Sequence, residues 1–317
     1  MVCEFRTKKL LGQIPVSSEL SLYYENLIQI IVNDFTSAID ASKLNTLIVP
    51  DDFMNEIIEF QKQIGIKNPS VTNNEFGRAF GKMIHDEKND TYFIFIDPDI
   101  ATFVMDDNMF NRCFSSFDEE NKTLVVQQRK QALNLIAHEM AHIEFDTKVK
   151  RPYFNRCYSD GLLSQAYVLF DEYYACRKAS IVAPGSLIED NGDYIIKIEQ
   201  FIDEERWKYK TREKSLDEFV ALFHKYAELV LIRTVSIAGE NIGRELPIKI
   251  TDLLENTEVQ QYADSLAQVC DEIYGRLETQ NEITIDNRIT DIIDQYFISL
   301  GVQISDSPQG VYYAIPD

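Results

Sequence analysis

Two histidines and a glutamate in the segment NLIAHEMAHIEF, residues 134–145, have a spacing suited to metal chemistry. Four residues along an α-helix rotate by about 400°, so His138 and His142 lie about 40° apart on one helical face. Their rings can therefore approach a single ion from successive turns. Glu139 points about 100° away from His138, where its carboxylate can flank the ion and hold a water molecule without binding the ion. The pattern H-E-x-x-H on a helix is typical of zinc hydrolases.

Apolar residues surround the motif and indicate that the helix is buried. Two imidazoles and a carboxylate are costly to bury unless a partner satisfies them, and a bound metal ion is such a partner. The alternative is a helix whose histidines are hydrogen-bonded and hold no metal. The apolar neighbours are Leu135, Ile136, Ala137, Met140, Ala141 and Ile143.

A catalytic zinc site needs a third protein ligand and an open position for water. The metzincin pattern would place a third histidine at residue 148, but that residue is Lys148, and Phe145 replaces the glycine of that pattern. We therefore expect the third ligand on another element, and Glu172 in DEYYACRKASIVAPG, residues 171–185, is the first choice. Asp171, Asp160 and His224 remain alternatives.

Small residues beside Glu172 favour this choice. A glutamate side chain is short, so the helix that carries it must pack closely against the H-E-x-x-H helix. Small side chains on both helices would permit this approach, and they are Ala175, Ala179 and Ala183 on the second helix and Ala137 and Ala141 on the first.

H-E-x-x-H followed by E-x-x-A-x-x-x-A and a nearby proline resembles the gluzincin-type ImmA/IrrE-like metallopeptidases. The matching residues are His138, Glu139, His142, Glu172, Ala175, Ala179 and Pro184. The resemblance implies a compact zincin core, one zinc ion, and cleavage of a protein partner that is often a repressor. Many relatives have glycine where this chain has Ala141, and the family does not account for the long acidic C-terminal part.

The chemistry expected from this site is peptide hydrolysis with Glu139 as general base. Zinc would lower the pKa of a bound water, and Glu139 would take its proton and later deliver it to the leaving amine. A further donor should stabilise the oxyanion. Candidates for that donor are Tyr158, Tyr173, Tyr174 and His224.

The helices and strands that must position these residues are predicted to form an α+β fold. We expect a zincin-like core in residues 1–185, built from a small β-sheet, the H-E-x-x-H helix and the third-ligand helix, and a mostly α-helical domain in residues 186–317. A linker is predicted at 182–193, because Pro and Gly cluster there with polar residues. Helices are predicted at 17–39, 51–65, 123–147, 160–180 and beyond the linker, strands at 45–50, 78–84 and 91–97, and a final pair of short strands after residue 301.

The amino-acid composition of the 317 residues indicates which classes of partner to expect. A formal net charge of −21 disfavours nucleic acid, so the expected partner is a protein or peptide substrate. Five cysteines without close pairing favour a reducing compartment. No apolar run reaches the length of a membrane span, and we read no signal peptide at the N-terminus. These features predict a cytoplasmic protein without a membrane partner.

Two other function classes are alternatives to the zinc protease. One is a non-catalytic interaction or regulatory protein on a zincin scaffold, because intact ligands do not require turnover. The other is a carboxylate-bridged di-iron protein, since Glu139 and His142 also form E-x-x-H. That architecture uses two such motifs, and the chain has no second one: Lys82 and Ala221 stand three residues before the two remaining histidines.

Overall fold

The computed structural model describes residues 1–74, 76–152, 157–185, 191–246, 248–279 and 284–316. The chain forms two compact units, one of Met1–Asp146 with Lys178–Leu187 and one of Thr147–Arg177 with Ile188–Asp317. The predicted α+β class is confirmed, because the described residues are mostly helical and include a small mixed sheet. The predicted domain boundary after residue 185 stays a prediction.

The described residues contain the following elements in chain order. The strands are β1 (Val2–Phe5), β2 (Lys9–Leu10), β3 (Ile14–Pro15), β4 (Leu44–Val49), β5 (Asn73–Asn74), β6 (Gly77–Arg78), β7 (Gly81–Asp86), β8 (Thr91–Ile96), β9 (Gln303–Ser307) and β10 (Gly310–Ala314). The helices are α1 (Ser18–Phe35), α2 (Phe53–Gln63), α3 (Pro98–Ala101), α4 (Asp107–Phe114), α5 (Glu119–Lys148), α6 (Tyr158–Val182), α7 (Asn191–Lys210), α8 (Leu216–Gly243), α9 (Ile250–Leu253), α10 (Gln260–Thr279) and α11 (Asn287–Ser299).

The first unit is built on a four-stranded sheet with the order β1-β4-β8-β7. Strands β1, β4 and β8 run parallel, and β7 pairs with β8 as an antiparallel hairpin. The predicted pair of strands is therefore confirmed, although β7 starts three residues later than predicted because residues 77–78 belong to β6. Strand β8 lies inside the sheet between β4 and β7, so β7, the first strand of the hairpin, forms one edge of the sheet.

The two faces of β7 contact different helices, as expected from the alternation of side chains along a strand. Ile84 packs in a core with Phe53 and Ile57 of α2. On the opposite face, His85 lies 3.6 Å from Asp146 of α5, measured from Nδ1 to Oδ2. The helix that carries H-E-x-x-H therefore runs along one face of the edge strand.

Helix α5 is longer than predicted and is buried around the motif, from Ala132 to Phe145 with few exceptions. Polar contacts join it to the C-terminal end of α6. Asn134 Nδ2 donates to the carbonyl of Ala183 at 3.0 Å, and Lys178 Nζ lies 3.7 Å from Glu144 Oε2. Both acidic and basic groups of this ion pair are largely buried. These contacts hold the C-terminal end of α6, which belongs to the same unit, against α5.

The second unit is helical, with a terminal hairpin. A capping box of Ser215 and Glu218 begins α8, and the predicted short strands at the end are confirmed as the antiparallel pair β9 and β10. The predicted linker at 182–193 lies in part outside the described residues, and α7 begins at Asn191. Among the helices described, none combines the length and the apolar character that a membrane span requires.

Candidate metal centre

His138 and His142 point their Nε2 atoms toward each other from successive turns of α5. The two Nε2 atoms are 3.0 Å apart, and the rings meet edge to face. His142 is buried and His138 is half-buried. Burial, with a smaller effect of the neighbouring His142, lowers the pKa of His138 well below its ordinary value. The neutral form favoured by this shift is the form that binds a metal ion.

Glu172 of α6 completes a group of three with these histidines. One nitrogen of each ring and one carboxylate oxygen of Glu172 all lie within 4.8 Å of one another. No second cluster of His, Cys, Asp or Glu with metal-binding geometry occurs in the described part of the chain. This group could bind a metal ion.

The donor set and its spacing fit a tetrahedral site. Zinc–nitrogen bonds of about 2.0–2.1 Å at a tetrahedral angle separate two ligand nitrogens by about 3.3 Å. The observed separation of 3.0 Å between the two Nε2 atoms is close to this value. Two imidazoles and one carboxylate are also the protein ligands found in one class of catalytic zinc sites.

Glu139 is buried on α5 and lies against the first residue of β7. A β-carbon on Gly81 would be 2.5 Å from Oε1 of Glu139 and 2.9 Å from Cγ and Cδ. Only glycine therefore leaves room for the Glu139 carboxylate in this position. Sequence reasoning identified the strand but assigned no role to Gly81, because only the packing of β7 on α5 reveals this contact.

The structure gives other partners to two of the three alternative ligands. Asp171 accepts a hydrogen bond from Arg151 Nη2 at 2.8 Å, and the Nε2 atom of His224 lies 3.0 Å from Tyr313 Oη. Asp160 lies in the first turn of α6. None of these residues is a member of the metal-binding group.

The tyrosines considered as oxyanion donors lie on α6. Tyr158 Oη donates to Asp294 at 2.6 Å, and Tyr173 Oη accepts from Arg177 Nη1 at 3.1 Å. Burial raises the pKa of both phenols. Tyr174 is fully buried. The contacts of Tyr158 and Tyr173 indicate structural roles in the helical unit.

A second polar cluster joins α5 to the hairpin one turn beyond the motif. Tyr92 Oη donates to Asp146 Oδ2 at 2.7 Å, and the ring of His85 stacks on the Tyr92 ring with 4.2 Å between the centroids. Asp146 follows His142 by four residues and therefore lies on the same helical face. The cluster thus secures the end of α5 that carries the second histidine.

The chain was also compared with known proteins. It matches no family model, and no curated protein or solved structure matches it.

Proposed function

We propose that the protein is a zinc-dependent metallopeptidase that hydrolyses a peptide bond in an intracellular protein. The observation that carries the proposal is the convergence of His138, His142 and Glu172, with Glu139 on the adjacent position of the same helix. The arrangement of a small sheet, the motif helix and the third-ligand helix supports a zincin-like core. The resemblance to the ImmA/IrrE-like metallopeptidases supports the same assignment.

The residues of the candidate site have different roles in the proposed hydrolysis. His138, His142 and Glu172 would hold the zinc ion, which when bound supplies a Lewis acid and lowers the pKa of a coordinated water toward about 7. Glu139 is not needed as a ligand, so its carboxylate can take a proton from water and deliver it to the leaving amine. The contact with Gly81 restricts the position of that carboxylate.

The position of β7 at the edge of the sheet supports a peptide as the substrate. Among the described strands, β7 pairs only with β8, so its other side offers backbone groups for a further strand. β7 also runs along α5, with Gly81 beside Glu139. An extended peptide added to this edge would gain main-chain hydrogen bonds next to the general base. The net charge of −21 disfavours nucleic acid as an alternative substrate.

Digestion of a proteome-derived peptide library, analysed by mass spectrometry, tests the proposal. We expect the zinc-loaded protein to produce new peptide termini and Glu139→Gln to produce none, since an amide cannot accept the proton from water. The zinc content of both proteins is measured first, so that loss of cleavage is not confused with loss of metal. Glu120→Gln, at an exposed position of α5, is the matched control and should cleave normally.

One outcome would contradict the enzyme assignment. If the zinc-loaded protein and Glu139→Gln gave the same peptides, the metal centre would have no peptidase activity on the library. The protein would then be better explained as a non-catalytic interaction or regulatory protein on the same scaffold.

A further inference from the structure

Helix α8 crosses α6 at the residues that directly follow Glu172. The crossing point on α8 is Gly239, where a β-carbon would lie 2.5 Å from the carbonyl oxygen of Tyr173 and 3.1 Å from the backbone nitrogen of Arg177. The same β-carbon would be 3.2 Å from Cβ of Cys176. The backbones of the two helices are therefore in contact, and residue 239 has no space for a side chain.

Helix α10 holds the same segment of α6 through Arg177. Arg177 Nη1 donates to the carboxylate of Asp271 and, at 3.1 Å, to Tyr173 Oη. Its guanidinium lies 3.9 Å from the centre of the Tyr274 ring, which adds a cation–π contact. The backbone that begins one residue after Glu172 is thus fixed by α8 and by α10.

This contact is important because a metal site tolerates only small changes in the positions of its ligands. Metal–ligand distances in proteins vary by only about 0.2 Å from their usual values. Ordinary van der Waals contact begins at 3.4 Å, so a methyl group at residue 239 would have to separate the backbones of α8 and α6 by about 0.9 Å, the difference between 3.4 and 2.5 Å. If α6 took up only about a quarter of this movement, the adjacent Glu172 would be displaced by about as much as the site tolerates.

We propose that Gly239 is a positioning residue for the metal ligand Glu172, which it holds in place through the backbone of Tyr173. This inference rests on the proposed metal centre. It also assigns a role to part of the C-terminal region, since α8 and α10 together fix the third-ligand helix. A glycine inside a helix is less favourable than alanine, so its presence at a helix crossing is explained by the close approach.

Gly239→Ala tests the inference through zinc affinity, measured by competition with a chelator. We expect zinc binding to weaken about 10- to 100-fold, the range typical of residues that orient metal ligands. The absorption spectrum of the cobalt-substituted protein should change with it, because the spectrum reports the ligand set. Gly161→Ala on α6 and Gly275→Ala on α10 are controls, since a β-carbon at either residue has nothing within 4 Å. Both should bind zinc like the native protein.

A double-mutant cycle separates positioning from general damage. If Gly239 acts through Glu172, Gly239→Ala should weaken zinc binding in the native background and have little further effect in Glu172→Ala. Equal weakening in both backgrounds would overturn the inference, since the effect would then reach the site by another route.

The cycle also distinguishes the two proposals. An unchanged zinc affinity in Glu172→Ala would overturn the proposed metal centre itself. Weak binding in Glu172→Ala together with native binding in Gly239→Ala would overturn only the role of Gly239.

Asp271→Ala provides a second test that does not depend on the folding of Gly239→Ala. Loss of the Asp271 carboxylate removes the ion pair between Arg177 and α10, while the contact of Arg177 with the Tyr274 ring and the α8 crossing stay in place. We expect a smaller loss of zinc affinity, again absent in the Glu172→Ala background. Native zinc affinity in Asp271→Ala would overturn the contribution of the Asp271–Arg177 ion pair to the fixation of α6.

Discussion

Gly81 lies directly against the carboxylate of Glu139, with 2.5 Å between an ideal β-carbon at residue 81 and Oε1 of the glutamate. The contact joins the first residue of the edge strand to the residue that follows the first histidine of the motif. The backbone of Gly81 does not adopt the left-handed region, so an alanine there would be strained only by its contact with Glu139. Gly81 therefore offers a way to move the general base without touching the metal ligands.

Gly81→Ala should retain zinc and cleave peptides much more slowly than the native protein. The added methyl group pushes the Glu139 carboxylate away from the water that it must deprotonate, and a displacement of about 1 Å can lower the rate about 100-fold. The measurement is kcat/KM on a peptide identified in the library digestion, together with zinc content. Lys82→Ala, at the exposed neighbouring residue of β7, should behave like the native protein. A native kcat/KM in Gly81→Ala would show that Glu139 does not act from its observed position.

The purified protein should carry about one zinc per chain, because two imidazoles and one carboxylate form a tetrahedral site with water. Elemental analysis of protein prepared without chelator measures this, and His138→Ala should abolish it. Chelator should also lower the melting temperature of the native protein, since zinc binds the folded chain. If the two rings are only hydrogen-bonded to each other, no zinc will bind after supplementation. Two metals per chain, or iron, would instead favour the di-iron alternative.

Local sequence patterns predicted the elements that carry the site. The helical periodicity around His138 and Glu172, and the alternating strands before them, correspond to α5, α6 and the β7–β8 hairpin. These patterns are strong because each element buries one face over many residues. Strand β1 was not predicted, since it has only four residues and its partner β4 lies about 40 residues later in the chain.

These local patterns could not predict how the elements pack against one another. Four residues remained candidates for the third ligand, because local patterns do not show which side chain from another element faces the two histidines. Gly81 and Gly239 were not singled out for the same reason: the close approach at each residue is made by a different element. A glycine needed for packing has the same local signature as one that is merely tolerated.

Glu172→Ala should weaken zinc binding strongly, whereas Asp171→Ala should not. The two residues point about 100° apart on α6, and the Asp171 carboxylate is 2.8 Å from Arg151 Nη2. Zinc titration of both variants measures the difference, and the Asp171 variant is the matched control for removing a carboxylate from this helix. Tight binding by Glu172→Ala with weak binding by Asp171→Ala would move the ligand by one residue. It would also remove most of the case for the ImmA/IrrE-like resemblance.

His224 should make the stability of the protein sensitive to mild acid. Its ring is packed near the rings of Phe297 and Tyr313, and burial lowers its pKa below the ordinary value of 6.5. The unfolded chain therefore binds a proton at His224 before the folded chain does. As the pH falls below about 6.5, this difference lowers the free energy of unfolding, by at most about 1.4 kcal/mol per pH unit. Above that pH the ring is neutral in both states and contributes no pH dependence.

His224→Gln removes this titration and should lose less stability than the native protein between pH 7.5 and pH 5.5. Urea unfolding of both proteins at the two pH values, with chelator present throughout, gives the four free energies required. All other titratable groups are common to both proteins, so their contribution cancels in the comparison. A general loss of packing in the variant also cancels, because it lowers the free energy of unfolding equally at both pH values. An identical loss in the two proteins would mean that His224 keeps an ordinary pKa in the folded state, and that its burial against Phe297 and Tyr313 does not disfavour the charged ring.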